Sequence, residues 1–456
     1  MRPPALAGGL PGLGHVLEFR RNPVALVLRG HRELGEIFDF RLPGARVTAL
    51  VGPAAQTAFF NASEDVLSAR EVYQFTVPIF GNGVVYDVPP AELDVQMRYL
   101  FPALRDERLR RYAHVMREET ETYVESWGDA GEIDLPAVMN ELTVFIATRC
   151  LVGDELRQRI SREFAHLFHD LEGGINLVAF FNPYLPLPAF RRRDRARAGI
   201  AELIGTVIAE RRARGTAGED FLETLMSARD AAGLALSDET IVGLLLAVIF
   251  AGQHTSAVMA TWTGVLLHRH RDWLPAVLAE QREVLGEEGR VSLESLRRLV
   301  ALERCIKEAE RMHPPLVLLM RRIARDFEHA GYVAPAGGLA LVSPAASHRV
   351  ADVFADPDRY DPDRFGPERQ EDHRTKNALI GFGGGHHRCI GTTFAQQQIK
   401  VIWSVLLQRF ELEPIGPDAA PDYSTLVVGP RLPCRMRYRR RRRATVTAPD
   451  LAGARP

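Results

Sequence analysis

From Ile241 to Gly252 the chain carries no polar side chain, so a helix formed there is apolar on every face. Such a helix must be enclosed by protein or by lipid. The run is shorter than the ~20 residues a bilayer requires, and Gln253-His254-Thr255-Ser256 follows at once, so the enclosure is protein. Helical patterning extends from Ser237 to His268, which predicts a central buried helix roughly 45 Å long at about 1.5 Å per residue. The polar cluster inside it costs free energy unless something satisfies or uses it, which makes Gly252 to Ser256 a candidate site with an expected kink. Gly252 permits close approach of a ligand, and the Thr255 hydroxyl both donates and accepts.

Most of the remaining chain also reads as helix. Apolar periodicity predicts helices over 104–127, 201–213, 296–313 and 392–407. Strand signals are few: 36–42 alternates, Pro43-Gly44 turns the chain, 46–51 returns, and a second β patch lies near 331–343. The fold class is therefore mainly α with a small β region. Length alone suggests two or three domains, but no linker divides the 456 residues, and 1–456 reads as a single domain. Residues 1–15 form a Pro/Gly-rich lead with neither a signal h-region nor a spanning run, predicting a cytoplasmic chain with no membrane anchor. The cysteines at 150, 305, 389 and 434 are too scattered for a disulfide framework and fit reduced thiols. A net charge of −1 gives nucleic acid no global attraction. Arg439 to Arg443 open a basic tail, 439–456, expected to be solvated and disordered.

The chemistry centres on Phe382-Gly383-Gly384-Gly385-His386-His387-Arg388-Cys389-Ile390-Gly391. A single cysteine stands between a glycine-rich loop and the start of a helix. Unpaired backbone N–H groups and the helix dipole stabilise a thiolate there, and a lone stabilised thiolate is a good axial ligand for haem iron. The glycines let the backbone turn under a flat macrocycle, and neighbouring basic side chains can meet its carboxylates. Zinc is disfavoured, because His386, His387 and Cys389 crowd within four positions and no second ligand pair follows at a finger-like spacing.

Phe382, Gly385, Cys389 and Gly391 fill the pattern Phe-x-x-Gly, three residues, Cys-x-Gly, which resembles the haem-binding loop of the cytochrome P-450 monooxygenases. Glu308-Ala309-Glu310-Arg311 is similar to the superfamily's Glu-x-x-Arg, and Arg364 in Asp361-Pro362-Asp363-Arg364-Phe365 to its third partner. The resemblance implies a structural network of Glu308, Arg311 and Arg364 behind the Cys389 loop. Within the superfamily the chain resembles most the sterol 14α-demethylases, in their bacterial, soluble form. Ala251-Gly252-Gln253-His254-Thr255-Ser256 has histidine where most relatives have an acid. The stretch from Tyr73 to Asp87 is similar to that family's long substrate-side loop, His313-Pro314-Pro315-Leu316 to the segment under the haem, and His387 to the family's choice two places before the cysteine. His386 departs from the usual arginine. Asp94 falls near a position normally basic, which leaves Arg98, one turn later, to supply that charge.

The resemblance implies the triangular P-450 fold, with haem b between the central and proximal helices and Cys389 on its iron. It implies Tyr73, Arg98, Arg321 and His387 as cofactor-binding residues and Thr255 with His254 as catalytic ones. Substrate contacts carried over are Phe75, Phe80, Phe250, Ala251, Leu316, Leu318, Leu426 and Val427, suiting a hydrophobic polycyclic molecule. The implied reaction is oxidative 14α-demethylation of a sterol. Phe75 resembles the residue associated with precursors bearing a single C4 methyl group. With 67 residues after Cys389 and no flavin or iron–sulfur segment, electrons are expected from a separate ferredoxin and ferredoxin reductase. Alternatives are a single hydroxylation of another polycyclic or terpenoid metabolite, or a non-catalytic haem-binding protein.

Overall fold

The computed structural model describes residues 1–441 apart from 216, 217, 219, 231, 287 and 288. Nine of its helices frame the site: α1 (Pro53–Asn61), α2 (Pro90–Leu100), α3 (Asp106–Glu125), α4 (Leu135–Leu151), α5 (Arg162–Gly173), α6 (Pro188–Arg214), α7 (Asp238–Arg269), α8 (Val300–Met312) and α9 (Thr392–Arg409). The central helix of the sequence reading is α7. Ser237 caps it by accepting from the Thr240 amide, Asp238 and Glu239 lie at its positive end, and His268 and Arg269 at its negative end. It runs 32 residues without a break, continuing through Gly252 and the polar cluster. The Thr255 hydroxyl bonds back to Ala251 O, while Gln253 Oε1 and Ser256 Oγ find no protein partner. Among the described residues α7 alone is long and apolar enough to cross a membrane, and 67% of its most apolar window is buried in protein.

Helix α4 packs along α7 and gave no periodic signal in the sequence, because 12 of its 17 residues are buried and no polar face remains to mark a period. Helix α9 meets α7 over their C-terminal halves. The Trp403 indole donates to Ala260 O at 2.8 Å, bare Gly264 leaves room for its ring, and Arg269 reaches Gly416 O after the strand that follows α9. Thr255 and Cys389 both lie on the N-terminal side of that contact.

The strands are β1 (Ile37–Leu42), β2 (Ala45–Leu50), β3 (Leu67–Ser68), β4 (Ala130–Asp134), β5 (Leu319–Ile323), β6 (Phe327–His329), β7 (Tyr332–Ala334), β8 (Leu339–Val342), β9 (Phe410–Ile415) and β10 (Arg435–Arg440). They form a five-stranded sheet ordered β1-β2-β8-β5-β3, a three-stranded sheet β4-β10-β9, and the pair β6-β7. The expected hairpin is β1–β2, in register Ile37↔Leu50 to Leu42↔Ala45. The lead is not loose. Leu6 and Pro4 exchange backbone hydrogen bonds with Asp39, each 2.8 Å, and Leu6 is buried. Nor is the start of the basic run a tail: Arg439 and Arg440 belong to β10, and the Arg441 guanidinium donates to Leu407 O and Phe410 O at 3.0 and 3.1 Å. Residues 442–456 lie outside the described residues.

Candidate functional site

The Cys389 loop is pressed against the end of α1. A Cβ on Gly384 would lie 2.7 Å from the Phe60 ring, and one on Gly385 would lie 2.6 Å from Phe60 O. Gly383 and Gly385 also hold positive φ, 72° and 57°, which side chains rarely adopt. The turn closes with the Cys389 amide donating to Phe382 O at 2.8 Å, and the Thr392 hydroxyl donates to Cys389 O at 2.8 Å. Cys389 is exposed, whereas Cys150, Cys305 and Cys434 are buried. Surrounding protein raises the Cys389 thiol above its ordinary value, opposed by the Gly391 N–H and the Thr392 hydroxyl. The donors expected at the helix start are therefore present, but alone they do not outweigh burial.

Beside this loop lies a buried cation with no ion pair among the described residues, Glu64 acting on it only at longer range. Arg321 on β5 is 3% exposed, donates to Phe59 O at 2.6 Å, and sits 4.4 Å over the Phe59 ring. Burial pushes its guanidinium down to about 10, and no ion pair to it exists among the described residues. Tyr73 and Tyr86 stack at 5.0 Å, and burial raises both phenols, Arg321 acting in the opposite sense. His387 is lowered by burial and by Arg321, with Glu64 3.8 Å from its Nε2. Three of the cofactor residues read from sequence, Tyr73, Arg321 and His387, thus converge. Arg98 does not join them: it and Asp94 are exposed on α2, and among the described residues Arg98 makes no hydrogen bond or ion pair to the group.

Behind the loop, Glu308 and Arg311 on α8 pair through two hydrogen bonds of 2.7 and 2.9 Å, and Arg364 Nε reaches Glu308 at 3.1 Å. All three side chains are fully buried. Arg364 continues to Glu371 at 2.9 Å, and Arg369 bonds Glu371 and Asp361 at 2.6 and 2.7 Å. Burial alone would raise the Glu371 carboxyl, but hydrogen bonds from Arg369 and Arg364 hold it below the usual range. Glu310, also buried, lacks such a partner. Burial pushes it up to about 8, and a Cβ on Gly381 would lie 2.5 Å from its Oε1.

On α7 the Thr255 hydroxyl donates to Ala251 O at 2.6 Å, one turn back. Ala251 is exposed and a Cβ on Gly252 would meet nothing within 4 Å, so this face of a buried helix looks onto open space. His254 Nδ1 lies within ion-pair distance of Glu172 Oε1 on α5. Phe80 and Phe250 pack edge to face at 5.8 Å. Phe75 is 2% exposed and lies against Phe180 at 4.2 Å, in a small cluster with Tyr73 and Leu426. Its ring is covered by Tyr73 and Phe180. Val427 edges the main core, Leu318 the sheet's core, and Leu316 is half-buried outside both.

A family model described as Cytochrome P450 matches residues 3–434. The chain belongs to the cytochrome P450 family. It is 40% identical over 446 residues to the sterol 14-demethylase of Arabidopsis thaliana, covering 96% of this chain and 91% of that protein. To the sterol 14alpha-demethylase of Mycobacterium tuberculosis it is 38% identical over 444 residues, 96% and 98% of the two chains. Among solved structures, the retinoic acid-bound cyanobacterial CYP120A1 has the same fold, with a TM-score of 0.85 at 24% identity over 96% of this chain and 99% of that one.

This P450 is a haem monooxygenase, and its residues fit haem b. An exposed thiol on a glycine loop suits the iron, a buried guanidinium with no ion pair among the described residues suits a propionate, and the bare face at Gly252 leaves room above the ring. Sequence reading missed Glu172, because 161–214 carries no motif and only the fold brings α5 over His254. It also missed Tyr86, Arg369 and Glu371. The first lay within the quoted 73–87 stretch, and an acid beside Arg364 was the only available signal for the others.

Proposed function

We propose that this P450 carries out the oxidative 14α-demethylation of a sterol, taking the methyl group through alcohol and aldehyde to formate and leaving a ring double bond. The observation that carries the reading is His254, directly before Thr255 and held against Glu172. Haem b on Cys389 supplies reductive activation of dioxygen and oxidation of an unactivated C–H bond. The protein's part is positioning and proton supply. Arg321, Tyr73 and His387 hold the carboxylates of the cofactor, while Phe80 and Phe250 give the substrate cavity an apolar wall. Thr255 presents a hydroxyl on the open face of α7, and rotation away from Ala251 O frees its proton. His254 connects that hydroxyl's neighbourhood to the Glu172 carboxylate, an acid–base pair able to replace each proton consumed.

Electrons come from a separate ferredoxin and its reductase in the cytoplasm, and the substrate is a hydrophobic polycycle. Incubating the reconstituted enzyme with sterols differing at C4 and C14 tests the proposal. Formate release with a 14-demethylated product supports it, and a hydroxylated product that keeps the methyl group refutes it.

A further inference from the structure

We propose that His348 is a positioning residue for the iron ligand, coupling the Glu308–Arg311 network to the Cys389 loop through the peptide of Ile380. His348 is fully buried, and its two ring nitrogens have different partners. The Ile380 amide donates to Nε2 at 2.9 Å, and Nδ1 lies 3.1 Å from Arg311 O. An amide can only donate, so Nε2 is the acceptor and carries no proton. The proton is therefore on Nδ1, donated to Arg311 O. The backbone of His348 returns the contact, its carbonyl accepting from Arg311 Nη1 at 3.0 Å.

Beyond Ile380 the path continues into the loop. Ile380 O accepts from the Gly383 amide at 2.9 Å, closing the turn that contains Phe382, and Phe382 O accepts from the Cys389 amide at 2.8 Å. A hydrogen-bonded file thus leads from the Glu308 carboxylate through Arg311, His348 and Ile380 to the cysteine. Glu308 and Arg311 touch no residue of the loop through their own side chains in the bonds described, so the imidazole supplies the link. An apolar residue in its place leaves the Ile380 N–H and Arg311 C=O buried without partners. Burial agrees with a neutral, fixed ring, pushing it down to about 3.

The test compares His348→Leu with His348→Gln in the haem-loaded enzyme. Glutamine carries an amide oxygen that can accept from Ile380 and an amide nitrogen that can donate to Arg311. The ferrous carbon monoxide complex of His348→Leu is expected to lose its thiolate signature about tenfold faster than wild type, with far-ultraviolet dichroism unchanged and glutamine restoring most of the lifetime. A leucine variant as durable as wild type, or a glutamine variant as labile as leucine, overturns the proposal. Should His348→Leu not fold, nitrogen-15 histidine spectra of the wild-type enzyme decide: an Nδ1–H tautomer supports the link, and an Nε2–H tautomer overturns it.

Discussion

Below Cys389, Glu308, Arg311 and Arg364 are fully buried and each charge meets a partner, whereas on α7 the equally buried Gln253 and Ser256 keep Oε1 and Oγ without protein partners. Ala251, one turn before Thr255, is exposed. The lower side is a fully paired core, whereas the open face of α7 carries a Thr255 hydroxyl with a single bond, to Ala251 O, among those described. The difference matches their tasks. An axial ligand must be held at one distance, so its support is over-determined, while proton supply needs donors free to change partner.

Replacing Cys389 by serine probes the rigid side most strongly: the thiolate spectrum and all turnover should vanish while the fold persists, checked by the carbon monoxide difference spectrum and dichroism. Next, Arg364→Ala removes the cation shared by Glu308 and Glu371, leaving each buried carboxylate with one arginine in place of two, which is expected to cost about 3–5 kcal/mol and to empty the protein of haem, read from unfolding curves and haem content. On the open side, Thr255→Ala should leave sterol affinity and stability nearly unchanged yet lower turnover about 100-fold. A stability loss as large as that of Arg364→Ala would erase the contrast between the two sides.

Glu310 is the exception on the lower side and yields the smallest effect. Its folded-state value, about 8, lies above the ordinary 4.5. Folding therefore resists its ionisation, and stability is lost as pH rises from about 4.5 to about 8. Glu310→Gln should remove that loss, raising stability at pH 8 and changing it little at pH 4, measured as the difference in denaturant midpoint. Glu371 runs the other way. Its lowered value makes its stabilisation present above the ordinary carboxylate range and lost as pH falls through it.

The rigid side was also the more legible in the sequence. Cys389, its glycines, Glu308, Arg311 and Arg364 lie in short local motifs, and their geometry followed the motif. The central helix was legible from its unbroken apolar run, with ends within one residue of Ser237 and His268. Contacts made only by tertiary folding were not. Glu172 meets His254 from 82 positions earlier in the chain, and Arg98 faces solvent beside Asp94, which departs from the family pattern. Phe75 was read as a substrate contact from its position, but an aromatic in a core and one in a cavity share the same sequence signal.

The most direct test of the sterol reading is single-substrate turnover with ferredoxin and reductase, following C14-methyl carbon by isotope label. Labelled formate released in step with a 14-demethylated sterol is the expected result, and a sterol that displaces the iron's sixth-ligand water but is never demethylated would contradict it.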